Sequence, residues 1–200
     1  MRATGRVLTV VGAAVLLMGS GAQKIKAQQA ELQIGAIGAW GTKDPYKAGV
    51  GGSVALLGGR VLYLGGTFLY YFGTTSQDTS GAVPTDVKVR SGLLTGDLGF
   101  QVPAGPLELL ATISLGAVKF RQTVAPVGGL DTTEAQKKTE FVFAPGLVAT
   151  LPVGPFRFAA GAQYYFAGDP GFSEDFKSNS LVLSLRLILA VPIKIYPVAL

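Results

Sequence analysis

The chain of 200 residues contains neither cysteine nor histidine, and only 14% of its residues are charged. Without cysteine, no disulfide can hold the fold together, so hydrogen-bonded backbone must do so. Without histidine, the commonest general base and metal ligand is missing. The carboxylates also follow no calcium-loop spacing. The composition therefore predicts a protein with no cofactor and no metal site.

Long apolar runs are absent except near the N-terminus, between Val7 and Met18. Arg2 and Arg6 precede this run and a small and polar stretch follows it, as in a secretory signal peptide. The alternative, an uncleaved membrane helix, needs roughly 20 apolar residues, which is more than this run provides. We therefore expect the N-terminal segment to direct export and then to be removed.

The expected leader covers residues 1–27, with cleavage after Ala27 and Ala30 as an alternative site. The remaining residues, 28–200, form one domain. Cleavage removes four basic residues and leaves 13 basic against 12 acidic residues; the four are Arg2, Arg6, Lys24 and Lys26. A nearly neutral mature chain without a basic patch interleaved with aromatics indicates no binding of nucleic acid.

Apolar and polar residues alternate along eight segments of the mature chain. Each segment is long enough for a tilted transmembrane strand, which needs about 9–11 residues. The segments are 30–41, 48–57, 61–72, 87–102, 107–120, 139–151, 156–167 and 179–191. The pattern predicts an all-β fold: an eight-stranded antiparallel up-and-down transmembrane β-barrel, preceded by a cleavable signal peptide.

Short and long connections alternate between these segments. The short connections contain Gly or Pro, which permit a tight reversal and end a strand. They lie at 58–60, 103–106 and 152–155, whereas longer polar connections lie at 42–47, 73–86, 121–138 and 168–178. A membrane barrel has two different sides, so we expect periplasmic turns and termini and four extracellular loops.

The alternation also predicts which face of the sheet is outside. In the last segment the leucines from Leu181 to Leu189 share one face, while Ser184 and Arg186 share the other. The exterior of a soluble barrel would carry the charged residues, yet here they share a face with Gly, Ser and Thr. A soluble barrel that binds an apolar ligand is therefore disfavoured.

Aromatic residues concentrate near the ends of the segments, as expected for girdles at the two membrane interfaces. Those near the loop ends are Trp40, Phe68, Tyr70, Phe72, Phe120, Phe141, Phe143, Tyr164 and Phe166, and those near the turn ends are Phe100, Phe156 and Phe158. The alternative, aromatics scattered through a β-sandwich core, would not be sorted by strand end.

With its signal peptide, amphipathic strands, four outer loops and turns such as the one at 151–156, the chain resembles the small eight-stranded outer-membrane barrels of Gram-negative bacteria, the OmpA/OmpX type. The resemblance covers the mature chain and is architectural. It implies an outer-membrane monomer that the barrel-assembly machinery inserts. The family usually ends on an aromatic residue, whereas this chain continues past Pro192 and Tyr196 to Leu200.

The resemblance also bears on catalysis. Barrel enzymes such as lipid A deacylases, palmitoyltransferases and phospholipases resemble one another in using a histidine base, which this chain lacks. The adjacent Glu174 and Asp175 could share a proton, but their polar loop favours simple solvation. We therefore predict that the protein is not an enzyme.

Alternation points five charged side chains into the lumen: Glu31, Asp97, Glu108, Arg157 and Arg186. An eight-stranded barrel is narrow enough for them to meet, and an isolated charge away from water is costly. We expect both arginines to bridge the carboxylates, and three glutamines to complete the network: Gln33, Gln101 and Gln163. The alternative to this structural filling is a polar pathway for ions.

Four cations are predicted on the outer face beyond the loop-end girdle: Lys88, Arg90, Lys119 and Arg121. Folding about the turn at 103–106 places Lys88 near Arg121 and Arg90 near Lys119, where like charges repel. A lipopolysaccharide phosphate would relieve that repulsion, so a headgroup site is our hypothesis and a solvated rim its alternative.

The functional prediction is a non-enzymatic integral outer-membrane barrel with a structural, adhesive or surface-interaction role through its four extracellular loops. The alternative is a narrow passive pore for ions or small solutes. The longest predicted loop, 121–138, has the polar composition of a surface segment but no motif that identifies an extracellular partner.

Overall fold

The computed structural model describes residues 28–59, 61–78, 85–126, 133–172 and 178–195. The strands in these ranges are β1 Gln28–Gly41, β2 Gly49–Gly58, β3 Leu62–Tyr71, β4 Thr75–Asp78, β5 Thr85–Ala104, β6 Leu107–Pro126, β7 Thr133–Val153, β8 Phe156–Ala167 and β9 Ser180–Ile195. The described residues contain no helix long and apolar enough to cross a membrane. The expected leader, residues 1–27, lies outside them, as do Glu174, Asp175 and Tyr196.

Eight of these strands form a closed antiparallel barrel. They pair in the order β3-β2-β1-β9-β8-β7-β6-β5, and β3 closes the ring by pairing with β5. The short β4 extends the edge of β5 at the loop end, where Thr75–Asp78 lies opposite Thr85–Lys88. The barrel is one compact unit over Gln29–Ile193. The predicted eight-stranded antiparallel up-and-down barrel is therefore confirmed, with β4 as an addition.

The three short turns lie at one end of the barrel, and each contains a glycine with positive φ. These angles are 59° at Gly59, 66° at Gly105 and 62° at Gly154. Because Ala104 pairs with Leu107, the β5–β6 turn consists of only Gly105 and Pro106. A glycine of positive φ at the first position of a two-residue turn fits the type II′ hairpin. This turn is shorter than the predicted 103–106.

The largest difference from the sequence prediction lies at the loop end. β6 continues to Pro126 and β7 begins at Thr133, so most of the predicted loop 121–138 is a paired hairpin. Strands beyond a membrane hydrogen-bond to each other and keep both faces in water, so they need no alternation of apolar residues. β9 likewise continues to Ile195, past the predicted end at 191 and through Pro192.

The faces of the wall follow the predicted alternation. On β9 the side chains of Leu183, Leu185 and Leu187 are 51%, 58% and 46% exposed, whereas Arg186 is 8% exposed. The outer surface between the two ends is a continuous apolar band, and the buried residues line the lumen. The core of this protein is therefore the inside of the barrel.

Candidate functional site

At the turn end, three charged side chains meet across the lumen. Arg157 Nη2 donates to Glu31 Oε2 at 2.6 Å, and Arg157 Nη1 donates to Glu108. Glu31 Oε1 also accepts from Gln33 Nε2 at 2.8 Å. The three charged residues lie on β8, β1 and β6, which are not neighbours in the sheet, so the bonds cross the barrel. We call Arg157, Glu31 and Glu108 the turn-end triad.

Polar side chains fill the middle of the lumen, but not in the predicted arrangement. Asp97 accepts from Thr67 Oγ1 at 2.5 Å and from Thr95 Oγ1 at 2.9 Å, so both carboxylate oxygens are bonded to threonines. The prediction that Arg186 bridges carboxylates is therefore wrong. Arg186 instead donates to Ser184 Oγ and to Gln163 Oε1, each at 3.4 Å.

The glutamines divide between these two groups. Gln33 supports the turn-end triad, and Gln163 joins Arg186 to Ser114 through a 3.2 Å bond from its Nε2. Gln101 is buried but bonds to neither arginine. Among the described residues, no group of three or more histidine, cysteine or acidic residues could hold a metal ion.

Aromatic rings close the loop end of the lumen. Tyr46, from the connection between β1 and β2, is fully buried, and its ring centroid lies 5.2 Å from Tyr71, 5.4 Å from Tyr165 and 6.2 Å from Phe120. All three contacts are edge-on, one of the two preferred geometries for aromatic pairs. The hydroxyls of Tyr71 and Tyr165 lie 3.1 Å apart. We call these four residues the tyrosine plug.

Glycine and backbone hydrogen bonds hold Tyr46 in the plug. A Cβ at Gly41 would lie 2.5 Å from the Cβ of Tyr46, and one at Gly49 would lie 2.6 Å from the ring of Tyr71. Gly41 N donates to Tyr46 O at 2.6 Å, and Thr42 N donates to Leu181 O at 2.9 Å. Burial, and to a lesser degree Tyr165, raises the pKa of Tyr46, which keeps its phenol neutral.

Two sequence predictions are wrong at the plug. Phe120, predicted in the outer girdle, is fully buried, because it shares the inward parity of Glu108, Thr112 and Ser114 on β6. Tyr46 lies in the connection 42–47, which is predicted to lie in water. It is buried because the barrel mouth is apolar at this height, with the buried side chains of Leu93, Val118 and Val142 packed in the same cluster.

The other residues predicted for the two girdles lie on the outer face. The exposed residues near the loop end are Trp40, Phe68, Tyr70, Phe72, Phe141, Phe143, Tyr164 and Phe166, and those near the turn end are Phe100, Phe156 and Phe158. Neighbouring rings at the loop end touch, with Phe143 and Phe166 stacked at 5.9 Å.

The four predicted outer cations share one face, but their register differs from the prediction. Arg90 lies directly opposite Arg121, Lys88 opposite Thr123, and Lys119 opposite Gly92. The predicted pairs are shifted by two residues because the β5–β6 turn has two residues instead of four.

The sequence prediction omits a further cation, Lys137. It lies opposite Arg121 on β7, within the segment predicted to be a loop. The outward parity of Phe141 and Phe143, continued backward along β7, is the signal that would have found it.

No protein-family model matches the chain, and no curated protein matches it. Among solved structures, a major outer membrane protein from Thermus thermophilus is similar at 15% identity, with a TM-score of 0.58 over 81% of this chain and 99% of that chain. Neisserial surface protein A is similar at 16% identity, with a TM-score of 0.51 over 80% of this chain and 96% of that chain. The chain thus has the fold of the eight-stranded outer-membrane barrels.

Proposed function

We propose that the protein is an integral outer-membrane barrel that is closed to solutes, has no enzymatic activity, and serves a structural or adhesive role by presenting its loops at the cell surface. The observation that carries this proposal is the distribution of side chains. Leucine, phenylalanine and valine cover the outside of the wall, while bonded polar groups and aromatic rings fill the inside. Such a wall is solvated by hydrocarbon and encloses no open channel.

The difference between the two ends of the barrel supports the orientation that we propose. The turn end has tight hairpins. At the loop end, β7 extends beyond its last outward aromatic, Phe141, as far as Thr133. This extension is about 26 Å of strand. Long extracellular connections and short periplasmic turns are usual in outer-membrane barrels. The proposal therefore places both termini in the periplasm and the projecting hairpin outside the cell.

A narrow passive pore is the second candidate, favoured by the polar layer around Asp97 and Arg186 in the middle of the lumen. A pore would need a hydrated path past the tyrosine plug and past the turn-end triad. The plug rings are in edge contact, and the triad is bonded across the barrel. These two closures favour the sealed barrel.

Conductance across planar bilayers distinguishes the two candidates. We expect purified wild-type protein to be silent, because both ends of the lumen are closed. Tyr46→Phe should also be silent, since it keeps the ring and removes a hydroxyl without a hydrogen-bond partner among the described residues. Flotation of proteoliposomes verifies insertion. Steady openings of the wild type that change in Arg186→Gln would establish the pore and overturn the sealed barrel.

A further inference from the structure

We propose that the outer face of β5, β6 and β7, just beyond the loop-end girdle, binds the phosphate groups of a lipid headgroup in the outer leaflet. The site is centred on Arg90, Arg121 and Lys137, which we call the basic row. Lys88 and Lys119 flank it. The inference rests on the proposed function in one respect, since the loop end must face the outer leaflet.

The sheet register places the basic row on three adjacent strands. Arg121 lies directly opposite Arg90 on one side and Lys137 on the other. Adjacent strands are about 4.8 Å apart, and like charges directly opposite each other destabilise a sheet. A bound anion between the side chains would turn this repulsion into attraction.

The cations of the basic row have no partner within the described part of the chain. All three are exposed, and none forms an ion pair or side-chain hydrogen bond with another described residue. The nearest carboxylate on this face of β5 is Asp86. It lies about 13 Å along the strand from Arg90. In the loop between β1 and β2, by contrast, Lys47 pairs with Asp44 at 3.5 Å.

The position of the basic row relative to the apolar band indicates a lipid as the source of the phosphate. On β6 the outward residues change from Leu115 and Ala117 to Lys119 and Arg121 without an interval. On β7, the outward residues toward the loop end are Phe141, which is 63% exposed, then Thr139 and then Lys137. The acyl chains of a lipid can therefore lie on the apolar band while its headgroup reaches the cations. A free phosphate ion would contact the cations alone.

The chemistry of the row suits phosphate monoesters. Each guanidinium offers paired N–H donors that match two phosphate oxygens, and Lys137 adds a point charge. A phosphate monoester carries between one and two negative charges near neutral pH. The headgroup class that fits best carries two such groups, because the row spans three strands.

The test is a calorimetric titration of folded barrel in neutral detergent micelles with diphosphoryl lipid A, dephosphorylated lipid A and inorganic pyrophosphate. The site variant is Arg90→Gln with Arg121→Gln. The control is Lys43→Gln with Lys47→Gln, which removes the same charge from the connection between β1 and β2, away from the basic row. We expect the site variant to bind diphosphoryl lipid A about tenfold more weakly than the wild type, and the control to match the wild type.

Other outcomes overturn the proposal. Equal losses in both variants would show a general effect of charge, and unchanged affinity in the site variant would show that the basic row is a solvated rim. Pyrophosphate binding as tight as that of lipid A, and equally sensitive to the site variant, would assign a free phosphate instead of a lipid. Heat-modifiable migration on gels verifies folding in every sample, so failure here leaves the sealed barrel standing.

Discussion

Replacing Leu185 with Arg should destabilise the barrel by about 2–4 kcal/mol. Leu185 is the middle one of the outward leucines of β9 and is 58% exposed. In a bilayer this exposed side chain contacts hydrocarbon, where a guanidinium is poorly solvated. If water surrounded the barrel, the same substitution at an exposed site would change stability by no more than about 0.5 kcal/mol.

Urea unfolding in phosphatidylcholine vesicles measures this difference, with the fluorescence of Trp40, the one tryptophan in the chain, as the signal. The control is Ala48→Arg. Ala48 is also exposed but lies at the loop end. An arginine there costs about 0–1 kcal/mol. A small effect at both positions would mean that Leu185 does not face hydrocarbon.

Replacing Arg157 with Met should destabilise the protein by about 2–3 kcal/mol, because a buried charge pair that loses one partner leaves the other uncompensated. Glu31 and Glu108 would then face each other without a cation. The value is below that of a fully buried pair because the two carboxylate side chains are 22% and 25% exposed. The stability of Arg157→Lys should fall between those of the wild type and Arg157→Met, since one ammonium cannot reproduce a fork that bonds to both carboxylates.

The triple variant Glu31→Gln, Glu108→Gln and Arg157→Met provides the matched control. It removes the charges together with the cation, so it should recover most of the stability that Arg157→Met loses. Unfolding in the same vesicles compares the wild type, Arg157→Met, Arg157→Lys and the triple variant. Equal stability of Arg157→Met and the wild type would show that the triad does not stabilise the folded barrel.

The wall of the barrel is predictable from sequence because alternation is local. A strand places successive side chains on opposite faces, so the alternating leucines from Leu181 to Leu189 are sufficient to orient β9. The same rule orients the charges of the lumen, including Arg157 and Arg186. The prediction that Phe120 belongs to the outer girdle rests on its distance from the strand end and not on this rule. It is wrong, because the parity of Phe120 points its side chain inward.

The contents of the lumen are less predictable because they depend on contacts between distant strands. Whether Arg186 meets Asp97 or Gln163 depends on shear and side-chain reach, which no local pattern encodes. Tyr46 lies in a polar connection, and only the closed barrel provides the apolar mouth that buries it. The register of Arg90 and Arg121 depends on a single turn, and a two-residue error there moves every pair of the hairpin.

Measuring the environment of each side chain along β9 is the most direct test of a barrel with hydrocarbon outside and a sealed lumen inside. Because the chain has no cysteine, single cysteines at positions 181–189 can each carry a nitroxide without background labelling. In vesicles, the collision rate with oxygen reports exposure of the label to lipid, and the collision rate with a water-soluble nickel complex reports exposure to water. We predict high oxygen and low nickel accessibility at Leu183, Leu185 and Leu187, and low values of both at Ser184 and Arg186. High nickel accessibility at the three leucines would contradict the membrane barrel, and high nickel accessibility at Ser184 and Arg186 would contradict the sealed lumen.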